Sequence, residues 1–325
     1  QRLSSVCSGQ QQSRRLGPAE HRSSSATHRR AALEIVAALP HLIVMIKEVT
    51  RPFAKAWRKV QSIANPPAPL LDEALWLRAT APYQFVQRLT AEENRRLRLI
   101  ASDFLARKRI EGAAGLEITE LMRVQIAAQA CILVLELGVE SFDGWRDIVV
   151  YPGQFVPERE VIDDAGVVHT TRDPLAGEAW LGGPVVLSYE DVARTGDPVH
   201  GVEGYNVVIH EFAHKLDMLN GEPNGFPPLH KGMNRDAWKQ AFMQAYLDFC
   251  QKVDAADAVA HRDGGRALDE LPLDPYASEN PAEFFAVISE AFFELPDMVS
   301  IEYPEVYEQL KSYYRQDPAA SHLLR

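Results

Sequence analysis

The chain has 325 residues, enough for one large domain or two smaller ones, and 46% of them are hydrophobic, which excludes a wholly disordered protein. It carries 34 Lys and Arg against 45 Asp and Glu, a formal net charge of −11, which argues against a direct nucleic-acid partner because such binding depends on phosphate neutralisation. Three scattered cysteines form no CxxC pair, which indicates a reducing, cytoplasmic location and excludes a thiolate zinc site. No apolar run reaches the roughly 18 residues of a membrane helix, so we expect no membrane partner.

Composition divides the chain into four parts. Residues 1–44 are rich in Ser, Gln and Arg and precede the first methionine, so we predict a disordered extension. Residues 45–69 form an N-terminal segment that ends in the proline-rich linker ANPPAP. We expect one folded domain over 70–318 and a short C-terminal tail over 319–325.

Hydrophobic periodicity and capping residues predict helices at both ends of this domain and short strands between them. Thr90 with Glu93 makes a capping box, and Asn280 before Pro281 is a favourable helix start. In chain order we predict helices over 90–110 and 118–137, a strand over 147–156, a chain reversal within 161–171, a strand over 183–188, and helices over 204–219, 236–253, 281–295 and 304–315. Helices, then strands, then helices again predict an α+β fold.

The sharpest chemical signal is HEFAH at residues 210–214, an H-E-x-x-H sequence in a segment of helical periodicity. Four residues turn an α-helix by about 400°, so His210 and His214 lie one above the other and can converge on one Zn²⁺. Glu211 is offset by about 100°, which places it beside the metal as a general base for an attacking water. The flanking residues are apolar, and a buried pair of imidazoles needs partners, which a metal would supply.

A catalytic zinc usually has three protein ligands and one open position, so a third ligand must come from later in the chain. Asp217 and Asn220 stand where the metzincin pattern needs Gly and His, which excludes that form. The best candidate is Glu283, at the start of the predicted helix over 281–295 and among apolar residues. The ordinary alternative is a first-turn glutamate favoured by the helix dipole. Other candidate ligands are nearby acids, namely Glu279, Glu290, Asp217 and Glu222.

Other residues carry weaker signals. Asp217, one turn beyond His214, could orient that imidazole or could belong to the helix end. The strand over 183–188 is expected to be an edge strand that holds an extended peptide by β-augmentation, with an internal strand as the alternative. Lys215 directly follows the second motif histidine, where an uncharged residue is commoner. Four histidines in polar loops are expected to be surface residues, namely His169, His200, His230 and His261.

Two segments together resemble a known family, namely HEFAHKLDMLNG from residue 210 and DPYASENPAEFFAVISEAFF from residue 274. They are similar to the Mlc titration factor A family of bacterial zinc peptidases, and the similarity extends over residues 70–318, the predicted zinc metallopeptidase domain. The second segment also resembles the zinc-binding half of the anthrax lethal factor catalytic domain, where Tyr and Glu have the same separation as Tyr276 and Glu283.

The resemblance implies a zincin-like α+β metallopeptidase with a small mixed sheet, an active-site helix carrying H-E-x-x-H, and a helical C-terminal part carrying the third ligand. It implies one Zn²⁺ per chain held by His210, His214 and Glu283, with Glu211 as the general base. It also implies that Tyr276 faces the developing oxyanion. On the residues alone, this tyrosine could instead anchor a loop.

The activity implied is hydrolysis of peptide substrates, of the aminopeptidase type. The resemblance further implies binding of the transcriptional repressor Mlc, and through it an effect on glucose phosphotransferase expression. Two alternatives without catalysis stay open. One is a regulatory binding protein that sequesters the repressor. The other is a structural zinc protein in which a fourth side chain fills the open position.

Overall fold

The computed structural model describes residues 68–155, 159–162, 168–171, 176–197, 204–263 and 265–320. The predicted extension over 1–44 lies outside the described residues, as do most of the segment 45–69 and of the tail 319–325. The turn expected within 161–171 also lies outside them. The same holds for three of the predicted surface side chains, those of His169, His200 and His261.

The described part of the chain is a mixed α/β structure in which helices predominate. The helices are α1 Glu73–Thr80, α2 Gln84–Gln87, α3 Ala91–Arg107, α4 Glu120–Ile132, α5 Tyr189–Arg194, α6 Val207–Asp217, α7 Arg235–Asp263, α8 Arg266–Asp269, α9 Pro281–Glu294, α10 Pro296–Glu302 and α11 Pro304–Tyr314. The strands are β1 Arg109–Gly112, β2 Asp147–Tyr151, β3 Arg159–Ile162, β4 Val168–Thr171, β5 Gly177–Ala179 and β6 Val185–Ser188. Short 3₁₀ turns cover Val139–Phe142, Met218–Asn220 and Pro275–Ser278.

Several predicted helices have different ends in the structure. Those predicted over 118–137 and 204–219 span Glu120–Ile132 and Val207–Asp217. The helix predicted over 90–110 ends at Arg107, because Ile110 belongs to β1 and pairs with Ile148 of β2. The helix predicted over 236–253 continues to Asp263. Periodicity detects the existence of a helix more reliably than its ends, which are decided by contacts outside the sequence window.

The larger sheet has the strand order β1-β2-β6-β5. Strands β1, β2 and β6 are parallel, whereas β5 is antiparallel to β6, with Gly177 opposite Leu187. All four residues of β6 are buried, and the strand has a neighbour on each side. The expectation that the strand over 183–188 is the sheet edge is therefore wrong, since an unbroken buried run is typical of an interior strand. The edge strands are β1 and β5. The edge beside β6 is β5, which has three residues and which the sequence did not indicate.

Helix α6, which carries the H-E-x-x-H residues, packs against α4, α9 and β5. Its fully buried Phe212 lies among three aromatic rings, with centroids 5.7 Å from Phe104, 5.0 Å from Phe142 and 5.6 Å from Trp145. This cluster anchors the inner face of α6 in the core. Such aromatic contacts add to the free energy gained from burial alone.

Helix α9, which carries Glu283, is held by a second aromatic cluster. The ring of Phe285 lies 6.2 Å from that of Trp238 on α7, and Trp238 stacks on Phe242 at 4.2 Å. The hydroxyl of Tyr314 on α11 donates to Ser289 Oγ at 2.9 Å. Contacts from two other helices therefore fix α9 along its length.

Both site helices begin at an asparagine cap. The Asn206 side chain accepts the Ile209 N–H at 2.9 Å at the start of α6. At the start of α9, Asn280 accepts the N–H groups of Ala282 and Glu283. These bonds satisfy orphan donors of the first turns and fix where each helix starts. Among the helices described, none combines the length and apolar character needed to cross a lipid bilayer.

Replacing Phe212 by Ala is expected to lower the free energy of unfolding by about 3–5 kcal/mol, because the lost ring leaves a cavity among its three aromatic neighbours. Denaturant titration followed by circular dichroism measures this loss. The control is Leu219→Ala, just beyond the same helix, where the side chain is 48% exposed and the expected change is about 0.5 kcal/mol. A loss of less than about 1 kcal/mol for Phe212→Ala would contradict the anchoring role.

Candidate metal centre

Three side chains from α6 and α9 meet at one point. His210 Nε2 and His214 Nε2 lie 3.2 Å apart, and Glu283 Oε2 lies 3.1 Å from the first and 3.2 Å from the second. In the described part of the chain, these are the residues of ligand type that approach closely enough to share a metal ion. The structure therefore brings together the two motif histidines and the glutamate that the sequence favoured.

The triangle has the dimensions of a set of metal ligands. Nitrogen and oxygen ligands at about 2.0–2.2 Å from a tetrahedral zinc lie about 3.3–3.6 Å from one another, a few tenths of an ångström wider than the distances here. The Nδ1 of His210 is 2.7 Å from Glu290 Oε1, so in the neutral imidazole Nδ1 carries the proton and Nε2 offers a lone pair to the triangle. Its neighbour, Glu283 Oε2, offers lone pairs as well. Atoms that all present lone pairs to one point fit a cation there.

The local charges also favour a cation. Burial opposes a charge on His210, but its bonds to Glu283 and Glu290 outweigh burial and raise the pKa of the imidazole well above its usual value. Burial likewise opposes ionisation of Glu283, yet the imidazoles of His210 and His214 hold the pKa of its carboxyl well below the usual range. The negative charge of Glu283 and Glu290 favours a proton on the imidazole of His210. It likewise favours a metal ion between the three ligand atoms.

Glu211 is buried beside this triangle and does not belong to it. Burial raises the pKa of its carboxyl to about 8, with the charge of His210 acting in the opposite direction. A carboxyl with a pKa near neutrality can both take up and release a proton at physiological pH.

Glu290 has a role that the sequence did not indicate. Its Oε1 accepts from His210 Nδ1, while its Oε2 accepts from the backbone N–H of Asn206, the cap of α6. From the sequence, Glu290 was only a rival ligand. Glu290 lies seven residues after Glu283, which is two helical turns, so both carboxylates lie on one face of α9. This spacing could have suggested a supporting role for Glu290.

Asp217 organises a loop and does not contact an imidazole. Its carboxylate accepts the backbone N–H groups of Asn224 at 2.6 Å, Gly225 at 2.7 Å and Phe226 at 2.9 Å. Two roles were suggested for Asp217, to orient the imidazole of His214 or to belong to the helix end. The second role is the one found. The buried Nδ1 of His214 has no hydrogen-bond partner among the described residues.

The remaining candidates lie elsewhere. Glu279 and Glu222 are exposed and outside the triangle. His230 is half-buried, stacks on Tyr313 with centroids 5.7 Å apart, and has its Nε2 2.7 Å from the Tyr313 carbonyl oxygen. The expectation of a surface residue is wrong for this histidine, since its ring packs between two segments of the chain.

Tyr276 lies close to the triangle. Its ring centroid is 6.1 Å from that of His210, and the side chain is 48% exposed. It sits in the turn Pro275–Ser278, where Asp274 accepts the Tyr276 N–H at 2.8 Å and Tyr246 of α7 donates its hydroxyl to the Ser278 carbonyl at 3.1 Å. The turn is therefore fixed at both ends, and the phenol stands at the entrance of the site.

A cleft of about 680 Å³ opens onto His210, Glu211 and Tyr276. Strand β5 borders it at Gly177, and Asp269 and Asp274 lie on its lining. Its apolar lining comes from α6, α9 and the segment before Tyr276, namely Val207, Val287, Ala291, Leu295, Leu271 and Leu273. The cleft can accept an apolar side chain beside the polar triangle.

Lys215 fixes the edge of the sheet to α6. Its Nζ donates to the carbonyl oxygens of Trp180 at 2.6 Å and Gly183 at 2.8 Å, in the turn between β5 and β6. It also lies 4.5 Å above the ring of Trp145. The lysine after the second motif histidine is thus a buried structural residue, and its burial lowers the pKa of the amine to about 8.

A helix with H-E-x-x-H beside a glutamate from a later helix is the pattern of zinc-dependent peptidases. In agreement, residues 54–315 match the model of the Glucose-regulated metallo-peptidase M90 family, and the chain belongs to that family. Membership of a metallopeptidase family implies a metal ion, and the donor set of the triangle fits one.

Individual relatives agree with this assignment. Mlc titration factor A of Yersinia enterocolitica is 37% identical over 235 residues, which is 71% of this chain and 82% of that protein. Mlc titration factor A of Salmonella arizonae is 33% identical over 261 residues, 80% of this chain and 96% of that protein. The resemblance to the Mlc titration factor A family, inferred from the segments at 210 and 274, is confirmed.

Glu294 extends the contact between α6 and α9 by one more turn. Its Oε1 accepts from Asn206 Nδ2 at 2.8 Å. Burial raises the pKa of this carboxyl to about 7, and the hydrogen bond from Asn206 opposes the shift. The folded protein therefore holds a proton at Glu294 more tightly than the unfolded chain does.

Because the folded pKa lies above the unfolded one, Glu294 favours folding most at low pH, and this contribution is lost as pH rises from about 4.5 to about 7. Glu294→Gln keeps the acceptor for Asn206 but cannot ionise. The stability of wild type relative to this variant should fall by about 1–3 kcal/mol over that window. Urea titrations at several pH values measure it, with the exposed Glu305→Gln as the control. A difference independent of pH would refute the assignment.

Proposed function

We propose that the protein is a zinc-dependent peptidase in which His210, His214 and Glu283 hold one Zn²⁺ and Glu211 is the general base. The observation that carries this proposal is the triangle of lone-pair atoms 3.1–3.2 Å apart. Two imidazoles and one carboxylate are a ligand set of catalytic zinc sites, which leave a position open for water or substrate. Family membership supports the same conclusion.

We assign the fold, on the same basis, to the zincin-like metallopeptidases. Support comes from the order of its parts: a small mixed sheet with an antiparallel edge strand, the motif helix α6 packed against that strand, and the later helix α9 carrying the glutamate. Gly177 of β5, the candidate base Glu211 and His210 of the triangle all line one cleft.

Each side chain has a distinct task in the proposed reaction. Zinc bound at the triangle would supply Lewis acidity, which lowers the pKa of a water toward about 7 and polarises a scissile carbonyl. Glu211 takes a proton from the attacking water and later passes it to the leaving amine. Tyr276 donates its phenolic proton toward the oxygen on which negative charge develops. Glu290 holds His210 in the tautomer that keeps Nε2 free.

The cleft supports a short peptide substrate bound in an extended conformation. Strand β5 pairs with β6 on one side, and a peptide could add to its other side by β-augmentation. The apolar lining beyond His210 suits an apolar side chain. Asp269 and Asp274 on the lining suit a positively charged amino terminus, which favours action of the aminopeptidase type.

A structural zinc site is less well supported. A closed site uses four protein ligands. Among the described residues, the group of ligand type at this point contains three, and it borders an open cleft.

Metal analysis and kinetics together test the proposal. We expect one zinc per wild-type chain, loss of zinc in His210→Ala and Glu283→Ala, and retention of zinc in Glu211→Gln with a loss of turnover of about 10²–10⁴-fold. Elemental analysis gives the metal, and chromogenic amino-acid anilides with and without a chelator give the rate. Glu279→Gln, a nearby exposed glutamate, is the control. A Glu211→Gln protein with more than about a tenth of wild-type activity would rule out the proposed base.

The alternative proposal is a regulatory role through binding of Mlc, which the name of the relatives suggests. A protein that sequesters a repressor needs a surface and no turnover. The two roles can also coexist on one chain.

Titration calorimetry with purified Mlc separates these possibilities. Under the peptidase proposal with a regulatory role, wild type and Glu211→Gln should bind Mlc with the same affinity, while only wild type shows hydrolysis that a chelator abolishes. Binding by both proteins, with no chelator-sensitive hydrolysis by either, would support the regulatory role alone. Absence of any binding would exclude it.

A further inference from the structure

The carboxylate of Glu211 lies directly against the backbone of the edge strand. A Cβ atom added to Gly177 would stand 2.4 Å from Glu211 Oε1, 2.6 Å from its Cγ and 2.8 Å from its Cδ. Distances below 3.0 Å do not occur between real Cβ atoms and their neighbours, so one of the two groups would have to move. The space that a side chain at position 177 would fill is taken by the candidate base.

The constraint at this glycine is steric and not conformational. Gly177 is absent from the glycines with a positive φ, so any residue could adopt its backbone conformation. It pairs regularly with Leu187 in the ladder between β5 and β6. The sheet itself therefore gives no reason for a glycine here, and the contact with Glu211 gives a specific one.

Neither partner can move away easily. Strand β5 is fixed by its ladder with β6 and by Lys215, which binds both ends of the turn between these strands. Lys215 lies one helical turn after Glu211 on the same helix. Glu211 is itself buried, and Phe212 beside it is locked in the aromatic cluster. A side chain at position 177 would thus displace the carboxylate more readily than the backbone.

We propose that Gly177 is a positioning residue for Glu211: the missing side chain lets the base pack against the edge strand and directs its carboxylate into the cleft. The proposal deepens the function given above and rests on Glu211 being the base. It also explains how the two elements that must meet at a scissile bond, the substrate-binding strand edge and the base, are held in contact. The steric coupling between the two residues can be tested without any turnover.

The first test is a double-mutant cycle on the thermal stability of the full-length chain, measured as purified and again after chelation. Gly177→Ala should lower Tm by about 2–8 °C, because overpacking of a closed site is destabilising. Glu211→Ala removes the atoms that the new methyl group would meet. In that background, Gly177→Ala should change Tm by less than about 1 °C.

The control is Gly153→Ala. An added Cβ at Gly153 would approach a glutamate oxygen as well, Glu190 Oε2 at 3.1 Å, but that side chain is 52% exposed and can move aside. Gly153→Ala should therefore leave Tm unchanged. If Gly177→Ala does not fold, recovery of a folded protein in the double variant supports the proposal, and failure of the double variant to fold overturns it.

The second test is kinetic. It measures kcat and KM of Gly177→Ala, Glu211→Gln and the double variant with zinc bound. Gly177→Ala should retain one zinc per chain and lose about 10²-fold in kcat, since a small misplacement of a reacting group has effects of that size. KM should change little. In a Glu211→Gln background, Gly177→Ala should cause no further loss, because there is no base left to misplace.

Additive effects in the stability cycle would overturn the positioning role, as would full kcat in Gly177→Ala. The two proposals fail differently. If wild type shows no peptidase activity but the stability cycle shows strong coupling, the contact between Gly177 and Glu211 stands and the base assignment falls. If activity depends on Glu211 but the stability effects are additive, the peptidase stands and the positioning role falls.

Discussion

The contact between α6 and α9 is the interaction on which the whole site depends. Three glutamates on one face of α9, spaced by two turns and then one, reach across to α6. Glu283 meets the two imidazoles, Glu290 holds His210 and the backbone of Asn206, and Glu294 holds the Asn206 side chain. The same row of carboxylates thus fixes where α6 begins and where its histidines point. The pair α6 and α9 therefore sets both the position of the histidines and the groups that surround them.

This arrangement concentrates negative charge in a buried place, which a protein without a compensating cation would avoid. Burial raises the pKa of Glu290, Glu294 and Glu211 together. A divalent cation beside them lowers the cost of the buried charge, and protons on some of the carboxyls lower it further. In the proposed peptidase, this row of acids would supply counter-charge to a metal ion held at the triangle.

Sequence alone predicted the parts of the site that follow a local rule. His210 and His214 follow from helical spacing. On the residues alone Glu283 was the best of several candidate ligands, and it was the family resemblance that selected it. Glu290 was visible only as a rival ligand, because the spacing that links it to Glu283 does not say which partner it meets. Strand β5 was missed, since a run of three residues is too short to give a periodic signal. The sequence led us to expect the edge role for β6, although β5 is the strand that has it. The apolar run of β6 marks an interior strand.

The five chemically distinctive residues of α6 face three different neighbours, which explains why a five-residue motif needs so much structure around it. The histidines face α9, Phe212 faces the aromatic core, and Glu211 faces β5, as does Lys215 one turn later. Rotating the helix to improve one contact would break the others. The packing contacts of Phe212, Glu211 and Lys215 thus fix how the candidate metal ligands are oriented. A protein can match the motif and yet lack the aromatic core cluster, or carry a bulky residue on the edge strand. In such a protein the motif would therefore be a weaker sign of a working site.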